Sequence, residues 1–126
     1  FKAIQVAACA GIADVGLSEA IRDHYRRRLE MLVERLQAAG FDVTMPGGTF
    51  YLYVPAPTGA GSETFASGED ASQHLIRECS ISTVPWDDAG AFLRFSATFE
   101  SEGEADDLRV LDELGRRLKA ADLRFD

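Results

Sequence analysis

One arginine stands alone in a stretch of sequence that otherwise favours a buried strand. Arg94 lies within residues 91–99, where aromatic and branched side chains predict β-structure. No other lysine or arginine occurs between Arg77 and Arg109. A guanidinium cannot remain in an apolar core unpaired, so Arg94 must find a partner or point out of the core.

Two kinds of partner fit that position. Arg94 could form a structural ion pair with Asp87, Asp88 or Glu100, the acids nearest to it in sequence. It could instead bind the carboxylate of a ligand, because the planar donors of a guanidinium match a carboxylate in a bidentate way. Spacing alone leaves both alternatives open.

Other candidates for chemistry are weaker. His24 and His74 are far apart and have no cysteine or carboxylate at ligand spacing, so we expect no zinc site. The acids of residues 100–107 lack the register of a calcium loop and predict a solvated helix start. Gly59 and Gly61 precede no helix that carries a lysine, which indicates a loop and not a nucleotide site.

Composition and charge restrict the class of protein. The sequence has 126 residues, 46% of them hydrophobic, which predicts one domain over residues 1–126 with a core. A net charge of −8 argues against nucleic acid or an anionic membrane as partner, and we expect no spanning segment or signal peptide. Cys9 and Cys79 are isolated, which predicts buried free thiols in a reducing, cytoplasmic compartment.

Periodicity predicts the elements that would position Arg94. Helical spacing marks residues 1–12, and a second helix runs from an N-cap at Ser18 to Gly40. Period-two segments follow at 42–45, 49–54, 81–84 and 91–99, with a loop at 55–68 and a helix at 69–79 between them. Ser101 and Glu104 have the spacing of a capping box that opens a last helix. The fold class is therefore α+β: a small, mainly antiparallel sheet with long helices covering one face.

The second helix and the strand of Arg94 are both amphipathic. The second helix has an apolar stripe and an arginine-rich face that we interpret as solvated. In residues 91–99, alternation places Arg94 between Phe92 and Ser96 on one face. The other face carries Leu93, Phe95 and Ala97, which we expect the helices to cover.

Three segments together resemble a known family. They are HYRRRLEMLVERLQAAGFDV, MPGGTFYLYVPAP and TVPWDDAGAFLRFS, in that order. The chain is similar over nearly its whole length to the C-terminal small domain of class I/II, fold-type I, pyridoxal-phosphate-dependent aminotransferases, and most to the LL-diaminopimelate aminotransferase group. The first helix matches the segment that leaves the large domain in that family.

The resemblance implies roles for individual residues. Arg94 stands where the family places the arginine that binds the substrate α-carboxylate, and Tyr51 follows the turn that borders the substrate pocket. Trp86 and Asp87 depart from the family's usual loop, so each could contact the distal end of the substrate or close a turn.

The resemblance also implies what lies elsewhere. The internal aldimine needs a lysine in a desolvated pocket, and neither Lys2 nor Lys119 suits that role. In the family this lysine and the pyridoxal 5'-phosphate site lie in an upstream large domain. We therefore expect no cofactor and no catalysis from this chain alone, but an amino acid and a 2-oxo acid as substrates of a parent enzyme, itself a homodimer.

A chain cut from such a parent should also associate with itself. The sequence begins at Phe1 with helical spacing and no capping residue, which predicts a cut inside a helix and exposed apolar surface. The alternative is a stand-alone α+β module for ligand binding or oligomerisation, which would explain the same elements without a cofactor.

Overall fold

The computed structural model describes residues 1–125. In chain order its elements are α1 (Lys2–Ala13), α2 (Val15–Ala38), β1 (Tyr51–Pro55), β2 (Gly59–Ala60), β3 (Glu63–Thr64), α3 (Gly68–Cys79), β4 (Val84–Trp86), β5 (Phe92–Ser96), α4 (Glu104–Ala120) and β6 (Leu123–Arg124). The α+β class is thus confirmed.

The central sheet is antiparallel, with strand order β1-β5-β4. β5 lies in the middle, where Arg94 is opposite Tyr53 of β1 and Val84 of β4. Leu93 and Phe95 are buried in the core, while Arg94 is only partly buried. The predicted division of this strand into a helix-covered face and an open face is confirmed.

The core between the sheet and the helices is mainly aliphatic. Its fully buried side chains include Leu32 and Leu36 of α2, Leu75 of α3, and Leu111 and Leu118 of α4. Close packing of these residues joins α2, α3 and α4 in one core.

A second small sheet was not predicted. Strands β2, β3 and β6 pair in the order β3-β2-β6, within the segment expected to be a loop and at the end of the chain. Each has only two residues, too few to show a period in sequence. Phe65, which follows β3, is buried and fastens this segment to the core.

Two strand predictions were wrong. Residues 42–45 form no strand, although Val43 is buried. The predicted strand at 81–84 lies later, as β4 (Val84–Trp86), with Pro85 inside it. Proline is tolerated there because β4 is an edge strand, where a missing N–H costs no sheet bond.

Two helix starts also differ from prediction. α2 begins at Val15, because the Asp14 side chain accepts a hydrogen bond of 3.0 Å from Leu17 N, so Ser18 is not the cap. α4 is preceded by Gly103, whose φ of 87° requires glycine, and no capping box forms. The predicted end of α2 is confirmed, since Gly40 follows it with φ 96°.

Helix α1 has no buried residue. Its apolar side chains are open to solvent, with Phe1 100% and Ile12 82% exposed. Cys9 is exposed on the same helix, so the prediction of two buried thiols is correct only for Cys79. In residues 1–125 no single helix is long and apolar enough to cross a membrane; α1 and α2, which meet at 71°, pass that test only as a pair, by length and composition.

Candidate functional site

Arg94 and Tyr51 lie together on the open face of the central sheet. The guanidinium carbon of Arg94 lies 4.4 Å from the centroid of the Tyr51 ring, a cation–π contact. Both side chains are partly buried. The structure therefore brings together the two residues that the sequence singled out for substrate binding, and the tyrosine ring supports one side of the guanidinium.

The acids that could have neutralised Arg94 do not do so. Asp87 accepts hydrogen bonds from Gly68 N at 2.6 Å and Glu69 N at 3.1 Å, at the start of α3. Across residues 1–125, neither Asp88 nor Glu100 forms an ion pair with Arg94. The guanidinium thus retains donors directed at the open face.

The role of Asp87 follows from its position at a helix start. The first N–H groups of a helix have no partner inside the helix, and a carboxylate both satisfies them and suits the helix dipole. Gly68 makes the close approach possible, because a Cβ atom there would lie 2.6 Å from Phe92 O. Asp87 and Gly68 therefore dock α3 against the β4–β5 turn and so hold Trp86 in place.

Trp86, Tyr53 and Phe92 form an aromatic cluster beside Arg94, on the same face. The Tyr53 and Phe92 rings stack at 4.5 Å with an interplanar angle of 10°. Trp86 meets Tyr53 edge-on at 6.4 Å. Tyr53 is 47% and Trp86 44% exposed, which leaves a large aromatic surface open next to the guanidinium.

A buried ion-pair cluster at the other side of the sheet was missed by the sequence analysis. Arg28 of α2 is 6% exposed and Asp107 of α4 is fully buried, with 2.8 Å between Arg28 Nη2 and Asp107 Oδ1. Arg27 Nη2 donates to Asp107 Oδ2 at 2.7 Å, and the Ser101 hydroxyl donates to Oδ1. The expectation of a solvated arginine face and a solvated acidic helix start was wrong for these residues.

Arg28 also binds the chain as it leaves β5. Its Nη1 donates to Phe99 O at 2.8 Å and to Ala97 O at 3.2 Å, and its guanidinium lies 4.4 Å from the Phe99 ring centroid. The cluster therefore ties α2, α4 and the exit of the strand that carries Arg94. The sequence does place Ser101 and Asp107 on either side of the start of α4. It contains no pattern that pairs these two residues with an arginine of α2.

The cluster sets the ionisation of Asp107. Burial by itself raises the pKa of this carboxyl. Hydrogen bonds from Ser101 and Arg28, together with the charges of Arg28 and Arg27, outweigh burial, so the pKa lies below its ordinary value. Asp107 is thus held as a carboxylate inside the protein.

A metal has no evident place in this part of the molecule. Within residues 1–125 no group of three or more histidine, cysteine, aspartate or glutamate side chains could hold an ion. Arg94 places a guanidinium, a group whose donors suit an anion, on the open face.

Comparison with known proteins identifies the family. No protein-family model matches the chain. The chain is 44% identical, over all of its length and 32% of the relative's, to the LL-diaminopimelate aminotransferase of Methanocaldococcus jannaschii. It is 45% identical, with the same coverage, to the LL-diaminopimelate aminotransferase of Methanococcus maripaludis.

A solved structure shows the same fold. The aromatic aminotransferase of Pyrococcus horikoshii superposes with a TM-score of 0.71 at 24% identity, over 93% of this chain and 30% of that one. The chain therefore spans about a third of the length of the curated relatives it matches. Along that length, it belongs to the pyridoxal-phosphate-dependent, fold-type I aminotransferases, in the group of the LL-diaminopimelate aminotransferases.

Proposed function

We propose that this chain is the C-terminal small domain of an aminotransferase and that Arg94 binds the α-carboxylate of its amino-acid and 2-oxo-acid substrates. The amino donor that the names of both relatives suggest is LL-diaminopimelate. Tyr51 supports the guanidinium from one side and borders the same pocket.

One observation carries this proposal. Arg94 is partly buried on the open sheet face and has no carboxylate partner within residues 1–125, while the nearby Asp87 is engaged by α3. A partly desolvated guanidinium with free donors binds a carboxylate through two parallel charge-assisted hydrogen bonds. We propose that the carboxylate bound by Arg94 is that of the substrate.

Pyridoxal 5'-phosphate has no fitting site among the described residues. An aldimine lysine must be desolvated, but Lys2 and Lys119 are both exposed, on α1 and at the end of α4. We propose that the cofactor binds to the part of the enzyme that the matched relatives have beyond this third. Borohydride reduction of this chain mixed with the cofactor should leave both lysines unlabelled, whereas stoichiometric labelling of either would contradict that division.

Helix α1 also supports the proposal that this chain is one part of a larger enzyme. A helix with no buried residue and apolar side chains such as Ile4 and Val6 has nothing to pack on within residues 1–125. We propose that it packs on the remainder of the enzyme and that the isolated chain self-associates through it. The parent would be a homodimer.

The proposed role of Arg94 is tested in the complete enzyme. Removing one partner of a desolvated charge pair costs on the order of 2–5 kcal/mol, so Arg94→Ala should lower kcat/KM by roughly 30- to several-thousand-fold. Arg94→Lys should recover only part of the loss, because an ammonium lacks the planar fork.

Arg109→Ala is the matched control. Arg109 is an exposed arginine on α4 that pairs with Asp106 at 2.7 Å, so its removal takes away the same charge at a site remote from the open face. A loss for Arg94→Ala no larger than that for Arg109→Ala would overturn the proposed role.

A stand-alone module for ligand binding or oligomerisation is the alternative. The open aromatic face and exposed α1 are compatible with it. Expression of the complete gene decides between the two: a product about three times longer, with a reducible aldimine, is expected for the enzyme.

A further inference from the structure

The end of the central sheet next to Arg94 consists of only two strands. β4 pairs with β5 no further than Arg94, so beyond that residue β5 is paired with β1 alone within residues 1–125. β1 is an edge strand, and the residues before it, 42–50, form neither helix nor strand. Two strands without further support are marginally stable, so this end of the sheet depends on what packs against it.

The contact between Arg94 and Tyr51 lies at this two-stranded end. Tyr51 is opposite Ser96, two residues after Arg94 in β5. Arg94 and Tyr51 are therefore diagonal neighbours on one face of the strand pair. The 4.4 Å between the guanidinium carbon and the ring centroid thus depends on how β1 and β5 are aligned. If the strands separate at this end, the guanidinium loses the ring that supports it.

Helix α2 contacts both strands just where they separate. Ala97 N donates to Phe50 O at 2.9 Å, one residue beyond the register pairs of β1 and β5. Arg28 Nη1 donates to Ala97 O at 3.2 Å and to Phe99 O at 2.8 Å. Tyr25 lies one turn earlier on the same face of α2, and its ring centroid is 5.5 Å from that of Phe50. One face of α2 therefore holds both residues of this hydrogen-bonded pair.

Arg28 is itself held from the side of α4. Asp107 is fully buried, and its Oδ1 lies 2.8 Å from Arg28 Nη2. The Ser101 hydroxyl accepts a hydrogen bond from the same nitrogen. Charge-assisted hydrogen bonds are about twice as strong as neutral ones, so the carbonyls that Arg28 binds are fixed relative to α2 and α4.

We propose that Arg28 and Tyr25 are positioning residues for Arg94. By holding the hydrogen-bonded end of β1 and β5, they keep Arg94 aligned on the Tyr51 ring and directed at the substrate carboxylate. The proposal rests on the proposed function, in which Arg94 binds that carboxylate. Positioning of this kind matters because misplacing a binding group by about 1 Å can lower a rate by about 100-fold.

A double-mutant cycle in the complete enzyme tests the proposal. Arg28→Lys keeps a positive charge beside Asp107 but loses the planar fork that reaches both carbonyls. It should lower kcat/KM on LL-2,6-diaminopimelate by about 2- to 30-fold, the range for a residue that acts through others. In the Arg94→Ala background it should cause no further loss, because the group that it positions is gone. No loss in the wild type, or an equal loss in both backgrounds, would overturn the proposal.

Arg35→Lys is the matched control. Arg35 also joins α2 to α4, with 2.9 Å between Arg35 Nη2 and Asp112 Oδ1. Its ion-pair partners are Asp112 and Glu34, and neither belongs to the sheet. The substitution should leave kcat/KM unchanged in both backgrounds. A loss as large as that of Arg28→Lys would show that the link between the helices, and not the contact with β5, is what matters, and would contradict the proposal.

Tyr25→Leu tests the second contact and replaces Arg28→Lys if that variant does not fold. It removes the ring that meets Phe50, so it should lower kcat/KM in the wild type and not in the Arg94→Ala background. Tyr25→Phe keeps the ring and should retain the wild-type value.

The cycle separates the two hypotheses. If Arg94→Ala lowers kcat/KM and the loss from Arg28→Lys persists in that background, only the positioning role fails. If Arg94→Ala leaves kcat/KM unchanged, the proposed function fails, and the positioning role fails with it.

Discussion

Arg28 and Arg94 are both arginines in contact with the central sheet, yet their surroundings are opposite. Arg28 reaches it from α2 and is held by Asp107, Ser101 and the carbonyls of Ala97 and Phe99. Arg94 leaves the sheet on its open face and touches only an aromatic ring among the described contacts. An arginine held by a carboxylate, a hydroxyl and two carbonyls stabilises a fold, whereas one with free donors is available to a ligand.

Arg28 and Arg94 are connected through β5. Arg28 binds the carbonyls of residues three and five positions after Arg94, so it fixes the exit of β5. A strand held at that end and paired on both sides keeps its central side chains in place. Arg28 thus helps to hold Arg94 in position.

The largest effect should come from breaking the buried cluster. Asp107→Ala leaves Arg28 buried and without its carboxylate, which costs about 3–5 kcal/mol of unfolding free energy. Urea denaturation measures it. Asp112→Ala is the control, because Asp112 pairs with Arg35 on the surface and should cost about 1 kcal/mol or less. Similar losses of unfolding free energy in the two variants would show that the buried cluster stabilises the fold no more than a surface ion pair.

Acid should weaken the same cluster. The pKa of Asp107 is lowered in the fold, so its stabilisation is present above the ordinary carboxyl pKa of about 4 and is lost as pH falls through the lower folded value. The pKa of Glu113 is lowered to about 2 by Arg116 and Arg117, so this carboxylate also contributes stability that is lost at acid pH.

The measurement is the free energy of unfolding at pH 7 and at pH 3. It should fall on acidification in the wild type and fall less in Asp107→Asn. The pH dependence that remains in this variant comes from surface carboxylates such as Glu113. An equally steep fall in that variant would show that Asp107 is not the group responsible.

The smallest effect on stability should come from Arg94 itself. It has no ion pair within residues 1–125, so Arg94→Ala removes only the contact with Tyr51, of about 0.5–1 kcal/mol. Thermal denaturation compares it with Tyr51→Ala and Tyr51→Phe, the second of which keeps the ring. If Arg94→Ala lowers the stability about as much as Asp107→Ala does, Arg94 has a structural role like that of Arg28.

Sequence alone predicted the position of Arg94 on the open face better than it predicted the buried cluster. Alternation over residues 91–99 placed Arg94 correctly, because a half-buried strand has a strict period of two. Arg28 and Asp107 each sit among other charged residues, and their pairing depends on α2 packing beside α4. Local periodicity carries no information on such a long-range contact.

The errors in element boundaries have local physical causes. Asp14 and Ser18 are both good caps, and only the geometry of the chain shows that Asp14 is used. Pro85 normally ends a strand, but an edge position lets it remain inside β4. Strands of two residues, such as β2 and β6, depend on pairing with one another rather than on a sequence pattern.

The central claim is that Arg94 recognises the carboxylate of the substrate. Its most direct test compares wild type and Arg94→Ala in the complete enzyme on an amino-acid substrate and on the amine that lacks the α-carboxylate. We predict that kcat/KM falls by roughly 30- to several-thousand-fold on the amino acid and changes little on the amine. Equal losses on both substrates would contradict the claim.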